Sequence, residues 1–378
     1  MNPHTDLIHP GLESDPFTGA VGVPIYQTST FHQEDPLNMG QWTYARSENP
    51  TRTALETALA KLEGVERAFT FSSGMAAVSS VIAALVEKGD RIAASKDLYG
   101  GSHRILTKFF SKFGVETVFV DPGDITAWEK LAQKPTKLFF LESPSNPLLK
   151  ITDLKAVSDL ARAQGILTVL DNTFTTPWFQ KPLLQGIDVV IHSATKFLGG
   201  HSDLVAGAAA ARDPEIAGKI AWVQNAFGAI LGPQDCFLLW RGLRTLGVRM
   251  ERQQASAHAL AHWLQGQTWI KTVHYPGLES HPGRDVHLSQ TQGPGAILSF
   301  ETDTPQRALE LMKNVKLPVV AVSLGGVESI LSWPERMSHA AIPEKERREL
   351  GITPSLLRFS VGLEDWEDLA KDLEAASH

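Results

Sequence analysis

Lys196 lies between a predicted buried strand and a predicted tight loop. The apolar run 189–191 predicts a strand, and Gly199 and Gly200 predict a turn soon after it. Lys196 lies between them, beside small hydroxyl residues. Burial disfavours the ammonium form of a lysine, and the free amine is a nucleophile toward carbonyl groups. Taken alone, the segment also fits a surface or phosphate-facing lysine.

A carboxylate follows a second apolar run upstream. The run 166–170 ends at Asp171, which a neighbouring strand would place beside Lys196 at the edge of a sheet. A lysine imine on pyridoxal phosphate, with a carboxylate pairing the pyridinium nitrogen, is the pattern that such cofactor sites need. Without Lys196, Asp171 would be interpreted as a helix N-cap or a loop residue. Together the two residues predict a pyridoxal phosphate site.

Three further segments supply other parts of such a site. Ser73, Gly74 and Met75 open a helical pattern, whose free N–H groups suit a phosphate, although helix capping by Ser73 explains the serine equally well. Tyr99 precedes two glycines and could hold an aromatic ring against a flat heterocycle, or belong to an ordinary turn. Asn146 places an amide between prolines after an apolar strand, where a loop is the alternative interpretation.

The bulk composition excludes several function classes. The 378 residues carry a formal net charge of −7 and no long basic block, so we expect no nucleic-acid partner. We also expect neither a membrane span nor a signal peptide, because no apolar stretch is long enough and the first residues lack a basic and an apolar region. The single cysteine, Cys236, cannot form an internal disulfide, which favours a cytoplasmic location.

The chain divides into three zones. Residues 1–52, rich in Pro, Gly, Thr and Ser, predict an extended arm that is disordered or contacts another subunit. Over 53–245, helical patterns alternate with short apolar runs, which predicts an α/β large domain whose mostly parallel sheet is covered by helices. Residues 246–378 predict a smaller α+β domain, and a long helical pattern over 234–265, interrupted by Gly242 and Gly247, joins the two.

Eight short segments follow one another along the chain: residues 44–52, 73–76, 98–101, 142–147, 171–173, 193–196, 323–329 and 357–362. In this order they resemble the cystathionine lyase and synthase family, the fold-type I pyridoxal phosphate enzymes of cysteine and methionine metabolism. Each segment alone is a weak signal, whereas eight in order over nearly the whole chain are very specific. The resemblance implies the fold-type I architecture and pyridoxal phosphate as cofactor.

The resemblance also implies roles for individual residues. Lys196 would be the Schiff-base lysine and the base at the substrate Cα, Asp171 would pair with the pyridinium nitrogen, and Tyr99 would stack on the ring. The expected catalytic set is Lys196, Tyr99 and Tyr44. The phosphate would be held by hydroxyl groups and helix-start residues: Ser73, Gly74, Met75, Ser193 and Thr195.

Two other sets of residues come from the resemblance. Tyr44 and Arg46 would reach the phosphate of a neighbouring subunit, which implies a homo-oligomer built from dimers, usually a tetramer. Arg358 would bind the α-carboxylate of a small amino-acid substrate through its two parallel donors, helped by Ser323 and Asn146.

The family catalyses β-elimination, γ-elimination and γ-replacement. Some members specialised for γ-chemistry on cystathionine carry a glutamate at two positions that Thr43 and Val322 occupy here, and methionine γ-lyases carry a cysteine where this chain has Gly101. The segments 224–228 and 338–341 resemble bacterial β-lyases. We therefore expect β-elimination of L-cystathionine to homocysteine, pyruvate and ammonia. The alternatives are γ-lyase or γ-synthase chemistry, or a broad C–S lyase acting on cystine and cysteine.

Other classes of site find less support. His201, Ser202 and Asp203 contain the residue types of a hydrolase triad, but adjacent side chains point in different directions and cannot form a relay. His258 and His262 would share a helix face, as zinc ligands can, yet their alanine-rich setting favours packing, and we expect no metal. A non-catalytic relative would have lost the lysine, aspartate or arginine, and this chain keeps all three.

Overall fold

Two β-sheets organise the chain, and helices cover them. The computed structural model describes residues 2–9, 14–15, 17–340 and 342–377; Ala341, part of one β-lyase-like segment, lies outside them. The larger sheet has seven strands in the order β1-β7-β6-β5-β4-β2-β3. These are β1 (Arg67–Phe71), β2 (Arg91–Ser95), β3 (Glu116–Val120), β4 (Leu138–Glu142), β5 (Leu167–Asp171), β6 (Val189–His192) and β7 (Gly207–Ala211).

Helices lie before, between and after these strands. Up to the end of the larger sheet they are α1 (Pro3–Ile8), α2 (Pro50–Glu63), α3 (Gly74–Leu85), α4 (Gly100–Arg104), α5 (Ile125–Ala132), α6 (Leu154–Ala163) and α7 (Thr176–Phe179). A π-helical turn at Ile105–Phe109 and 3-10 turns at Phe110–Phe113 and Pro182–Gln185 extend the connections. Three helices then lead to the second sheet: α8 (Pro214–Phe227), α9 (Pro233–Leu243) and α10 (Leu246–Gln265).

The smaller sheet has five strands in the order β10-β11-β12-β9-β8, antiparallel except between β10 and β11. Its strands are β8 (Ile270–His274), β9 (Ile297–Thr302), β10 (Val319–Val320), β11 (Ile330–Ser332) and β12 (Leu356–Ser360). Its helices are α11 (Arg284–Gln290), α12 (Pro305–Asn314), α13 (Glu344–Leu350) and α14 (Trp366–Ala376). The expected α/β architecture with a second, smaller α+β unit is therefore confirmed.

The larger sheet is mostly parallel, and only β7 runs against its neighbours β1 and β6. Helices pack on both faces, so its central strands carry apolar side chains on both sides, and every residue of β4 is buried. We did not expect β7, because its glycine and four alanines have low strand propensity. The small side chains belong there because α3 packs closely over β7.

Several boundaries match the sequence pattern closely. The helix expected over 154–163 is α6, whose N-cap Asp153 accepts a hydrogen bond from the Ala156 N–H. The long pattern over 234–265 forms two helices, α9 and α10, and the break between them, at Arg244 and Thr245, falls between the two glycines that interrupt the pattern. The domain boundaries after residues 52 and 245 remain predictions.

The register of the larger sheet brings the candidate residues together. β5 pairs in parallel with β6, with Asp171 opposite Ile191, so the strand that ends at Asp171 lies beside the strand that leads to Lys196. β4 pairs with β5 on the other side and places Glu142 opposite Asp171.

In the part of the chain that the structure describes, no helix combines the length and apolar character needed to cross a bilayer.

Candidate active site

A cavity of about 240 Å³ opens at the carboxyl ends of β4, β5 and β6. Such strand ends are where ligands bind in α/β sheets. The expected site residues that line it are Ser73, Gly74, Met75, Tyr99, Asn146, Asp171, Ser193, Thr195 and Lys196. Segments far apart in sequence thus converge on one space.

Lys196 follows β6 and reaches toward the smaller sheet. Its Nζ donates a hydrogen bond to Ser323 Oγ at 2.7 Å. Burial, together with the nearby Arg358 cation, lowers the pKa of Lys196 to about 8, from an ordinary value of 10.5. A larger fraction of the amine is therefore unprotonated at neutral pH than in a solvated lysine, which suits a nucleophile or a base.

Asp171 ends β5, and its carboxylate accepts two hydrogen bonds. Oδ1 accepts from the Thr173 N–H at 3.1 Å and from Thr173 Oγ1 at 2.5 Å. Burial raises the pKa of Asp171, and the two Thr173 donors oppose that rise. A buried carboxylate is stabilised by a cationic partner. Asp171 can therefore hold a protonated ring nitrogen in the cavity.

Glu142, which we had not singled out as a site residue, anchors two of the loops. Its Oε2 accepts from the Tyr99 N–H and its Oε1 from the Asn146 N–H, both at 2.9 Å. Burial, and then repulsion from Asp171, hold the pKa of Glu142 well above its usual range. Its place at the end of a buried strand next to that of Asp171 was the available sequence signal.

The start of α3 and the loop after β6 form a close-fitting anion cradle. A Cβ on Gly74 would lie 2.9 Å from Ser193 Cβ, so only glycine allows the two segments to meet. The first N–H groups of a helix have no intrahelical partner and carry the positive end of its dipole. Ser73 Oγ accepts from the Ala76 N–H at 3.0 Å, so the capping interpretation of Ser73 holds as well. These residues fit the phosphate of pyridoxal phosphate.

Arg358 lies on β12 of the smaller sheet; neither it nor Ser323 is among the residues that line the cavity, but its partner Asn146 is. Its guanidinium donates to Asn146 Oδ1 at 2.9 Å, to the Ser323 carbonyl at 2.7 Å and to Ser332 Oγ at 3.2 Å. Burial lowers its pKa to about 10, so it stays charged at neutral pH. Within the described residues it has no salt-bridge partner, and a substrate carboxylate would supply one.

Ser323 is the residue where Lys196 and Arg358 meet. Its hydroxyl accepts from the lysine and its carbonyl accepts from the arginine. Its φ of 115° lies in a region that non-glycine residues rarely adopt, and such strain concentrates at functional sites. No local sequence pattern marks this conformation.

Tyr44 and Arg46 do not reach the cavity of their own chain. The Arg46 guanidinium lies 5.6 Å from the centre of the Tyr44 ring, and its Nε donates to Asn225 Oδ1 at 3.2 Å. Both residues are exposed. Their roles toward a neighbouring subunit remain a prediction.

Comparison with known proteins identifies the family. Residues 4–378 match the Cys/Met metabolism PLP-dependent enzymes. The chain belongs to this family. The expected family and its cofactor, pyridoxal phosphate, are thereby confirmed, whereas the roles of individual residues remain predictions.

Named relatives of this PLP-dependent family differ in the reaction that they catalyse. The chain is 51% identical to cystathionine beta-lyase MetC of Bacillus subtilis, over 98% of this chain and 95% of that protein. It is 46% identical to cystathionine gamma-lyase of the same organism, over 100% and 99%. The crystal structure of cystathionine gamma-lyase from Lactobacillus plantarum, complexed with L-serine, superposes with a TM-score of 0.96 at 40% identity, over 100% and 98%.

The competing residue sets form no site. Ser202 Oγ donates to Glu328 Oε2 at 3.2 Å, and His201 Nδ1 lies 2.8 Å from the Gly199 carbonyl, so these neighbours build no relay. His262 Nδ1 lies 2.9 Å from the His258 carbonyl. Among the described residues, no group of three or more histidines, cysteines or carboxylates is placed to hold a metal ion.

The lowered pKa of Lys196 can be tested in the protein freed of cofactor. Since only the unprotonated amine reacts, acetylation of Lys196 by acetic anhydride should rise with pH through a midpoint near 8. Arg358→Met removes a repelling cation and should move the midpoint upward. Site-resolved mass spectrometry measures both curves. A midpoint near the ordinary value of 10.5 in the unsubstituted protein would show that burial and Arg358 do not lower the pKa of Lys196.

Proposed function

We propose that this protein cleaves L-cystathionine by β-elimination, giving homocysteine, pyruvate and ammonia. The observation that carries the proposal is the convergence on Ser323, which sets the Lys196 amine beside the Arg358 guanidinium. An α-amino acid whose carboxylate binds Arg358 presents its Cα–H bond to that amine. The identity of 51% to a cystathionine beta-lyase supports this choice of substrate.

Each residue of the site has one task in this proposal. Pyridoxal phosphate, when bound, accepts the electron pair released when a bond to the substrate Cα breaks. Lys196 removes the proton from Cα, and Asp171 keeps the ring nitrogen protonated. Arg358 and Asn146 would fix the carboxylate, and Tyr99 would stack on the cofactor ring. Homocysteine then leaves from Cβ as its thiolate, and water completes the release of pyruvate and ammonia.

Two neutral residues support β-elimination over γ-elimination. Reaction at Cγ needs a second proton transfer at Cβ, and γ-selective members carry glutamates where this chain has Thr43 and Val322. Val322 is 64% exposed and directly precedes Ser323 in the chain, so the side chain at this position is neutral and apolar. γ-Elimination remains the second candidate, because a cystathionine gamma-lyase is 46% identical.

We also propose that two chains form the working unit. Tyr44 and Arg46 lie outside the cavity of their own chain and expose their polar groups. A partner placed against the arm could receive them at its phosphate cradle. The tetramer and the cytoplasmic location remain predictions.

The keto acid produced from L-cystathionine tests the reaction. We expect pyruvate together with homocysteine, and no turnover by Lys196→Ala, since that variant lacks the base. Mass spectrometry of the derivatised keto acids identifies the product. A main product of 2-oxobutyrate with cysteine would replace the proposal by γ-elimination.

Val322→Glu tests the part of the site that selects the reaction. The new carboxylate could bind the distal ammonium group, and one charge-assisted hydrogen bond should raise the ratio of 2-oxobutyrate to pyruvate about tenfold. Val320→Glu is the matched control, because Val320 is also exposed but lies on β10. An equal ratio in both variants would exclude a role for position 322.

Mixing two inactive variants tests the dimeric site. Arg46→Ala removes a proposed phosphate ligand and Lys196→Ala removes the base, so neither homodimer should turn over substrate. A hybrid dimer would combine both lesions in one site and leave the other intact, and activity should return on refolding the mixture. No recovery, with hybrids shown by native mass spectrometry, would place Arg46 in the site of its own chain.

A further inference from the structure

Arg249 is a buried cation that holds the loop carrying Lys196. It lies in α10 and is only 3% exposed. Its NH1 donates to the Phe197 carbonyl at 2.7 Å, its NH2 to the Gly242 carbonyl at 2.9 Å, and its Nε to Thr245 Oγ1 at 3.1 Å. One guanidinium therefore ties the lysine loop to the end of α9 and the start of α10.

The partners of Arg249 are neutral oxygens. Burial lowers its pKa to about 10, so it remains charged at neutral pH. No carboxylate among the described residues forms a salt bridge with it. The Gly242 carbonyl belongs to the last turn of α9, where the helix dipole favours a cation. Burying an unpaired charge is costly, and the three directed hydrogen bonds compensate for that cost.

Gln253 holds the opposite side of the site from the same helix. It lies one turn after Arg249, on the same face of α10, and is fully buried. Its Nε2 donates to the Gly326 carbonyl at 2.7 Å and to the Val361 carbonyl at 3.0 Å. Gly326 shares a loop with Ser323, and Val361 directly follows β12, the strand of Arg358.

The two loops held in this way touch each other directly. Gly325 has a φ of 79°, and a Cβ there would lie 2.5 Å from the Phe197 nitrogen and 2.9 Å from the Lys196 carbonyl carbon. The backbone of one loop therefore rests on the backbone of the other. A shift of either loop would change where the Lys196 amine stands relative to Ser323 and Arg358.

We propose that Arg249 and Gln253 are positioning residues that set the distance between the Lys196 amine and the Arg358 guanidinium. The inference rests on the proposed roles of Lys196 and Arg358. Neither positioning residue lines the cavity, and both act through backbone carbonyls next to the site. Because proton removal from Cα depends on geometry, a misplacement of about 1 Å can lower its rate by about 10²-fold.

The two residues should affect different kinetic constants. Arg249 holds the lysine loop, so its loss should lower kcat and raise the deuterium isotope effect for substrate labelled at Cα. Gln253 holds the loop of Ser323 and the strand of Arg358, so its loss should weaken carboxylate binding and raise KM. A role limited to stability would leave both the isotope effect and KM unchanged.

The experiment compares Arg249→Met, Arg249→Lys and Gln253→Leu with a matched control. Gln224→Leu is the control, because Gln224 is also a buried helical glutamine whose Nε2 donates to a backbone carbonyl, that of Thr70 at 2.8 Å. All are assayed as holoenzymes, with rates expressed per bound cofactor and with thermal unfolding measured in parallel. The pH midpoint of the cofactor's visible absorbance gives a readout of the Lys196 environment that does not depend on turnover.

We expect Arg249→Met to lower kcat about 10²-fold, to raise the isotope effect and to shift the absorbance midpoint. Arg249→Lys keeps the charge but loses the forked guanidinium donors, so kcat should still be about tenfold lower than in the unsubstituted enzyme. If Arg249→Met does not fold, Arg249→Lys serves as the test variant. Gln253→Leu should raise KM about tenfold, in line with the loss of well-placed hydrogen bonds to the carboxylate-binding segments.

The proposal is overturned if these variants change kcat, KM and the isotope effect no more than Gln224→Leu does. Full activity of Arg249→Lys would also overturn it, because charge alone would then suffice. The proposed function is judged separately, from the keto acid made by the unsubstituted enzyme and from the loss of turnover in Lys196→Ala. The variants are compared on whichever keto acid that enzyme forms.

Discussion

The hydrogen bond from the Lys196 amine to Ser323 joins the two sheets at the point where chemistry would occur. Lys196 follows a strand of the larger sheet, whereas Arg358 lies on β12 of the smaller sheet and Ser323 in the loop between its strands β10 and β11. The site therefore exists only while both sheets keep their relative position. The backbone contact at Gly325 and the hydrogen bonds from α10 maintain that position.

Burial shifts the pKa values of the charged groups of the site. It lowers the pKa of the two cations, Lys196 and Arg358, and raises the pKa of the two carboxyl groups, Asp171 and Glu142. Each group thus favours its neutral form more than it would in water. A zwitterionic substrate and a cofactor with a basic ring nitrogen would bring groups of opposite charge to the buried Arg358 and Asp171. Such partners would offset the cost of burying these charges.

Relatives with different reactions share this core. A cystathionine beta-lyase and a cystathionine gamma-lyase of one organism are 51% and 46% identical to the chain. The removal of a proton from Cα is common to both reactions, so the residues that serve it cannot distinguish them. The difference must come from side chains around the distal part of the substrate, and we propose Val322, which directly precedes Ser323, as one of them.

Local sequence was sufficient for the elements that carry Lys196 and Asp171. Apolar runs predict buried strands. A polar residue that follows such a strand lies at the ligand-binding edge of the sheet when the strands are parallel. The start of α3 and the full extent of α6 followed from the same kind of local pattern. The ordered motifs then identified the family, and the family comparison confirmed it.

Only the tertiary structure decided which distant groups meet. The conformation of Ser323, the loop contacts of Glu142 and the carbonyl partners of Arg249 and Gln253 depend on segments far apart in sequence. In the sequence, these side chains look like ordinary helix, strand or loop residues. Their hydrogen-bond partners are backbone groups, which nearly every residue type carries, so the sequence does not show where the partners lie. Lys196 could be predicted from the strand that precedes it, but the position of its amine relative to Arg358 depends on contacts between distant segments, including the hydrogen bonds that α10 makes to both loops.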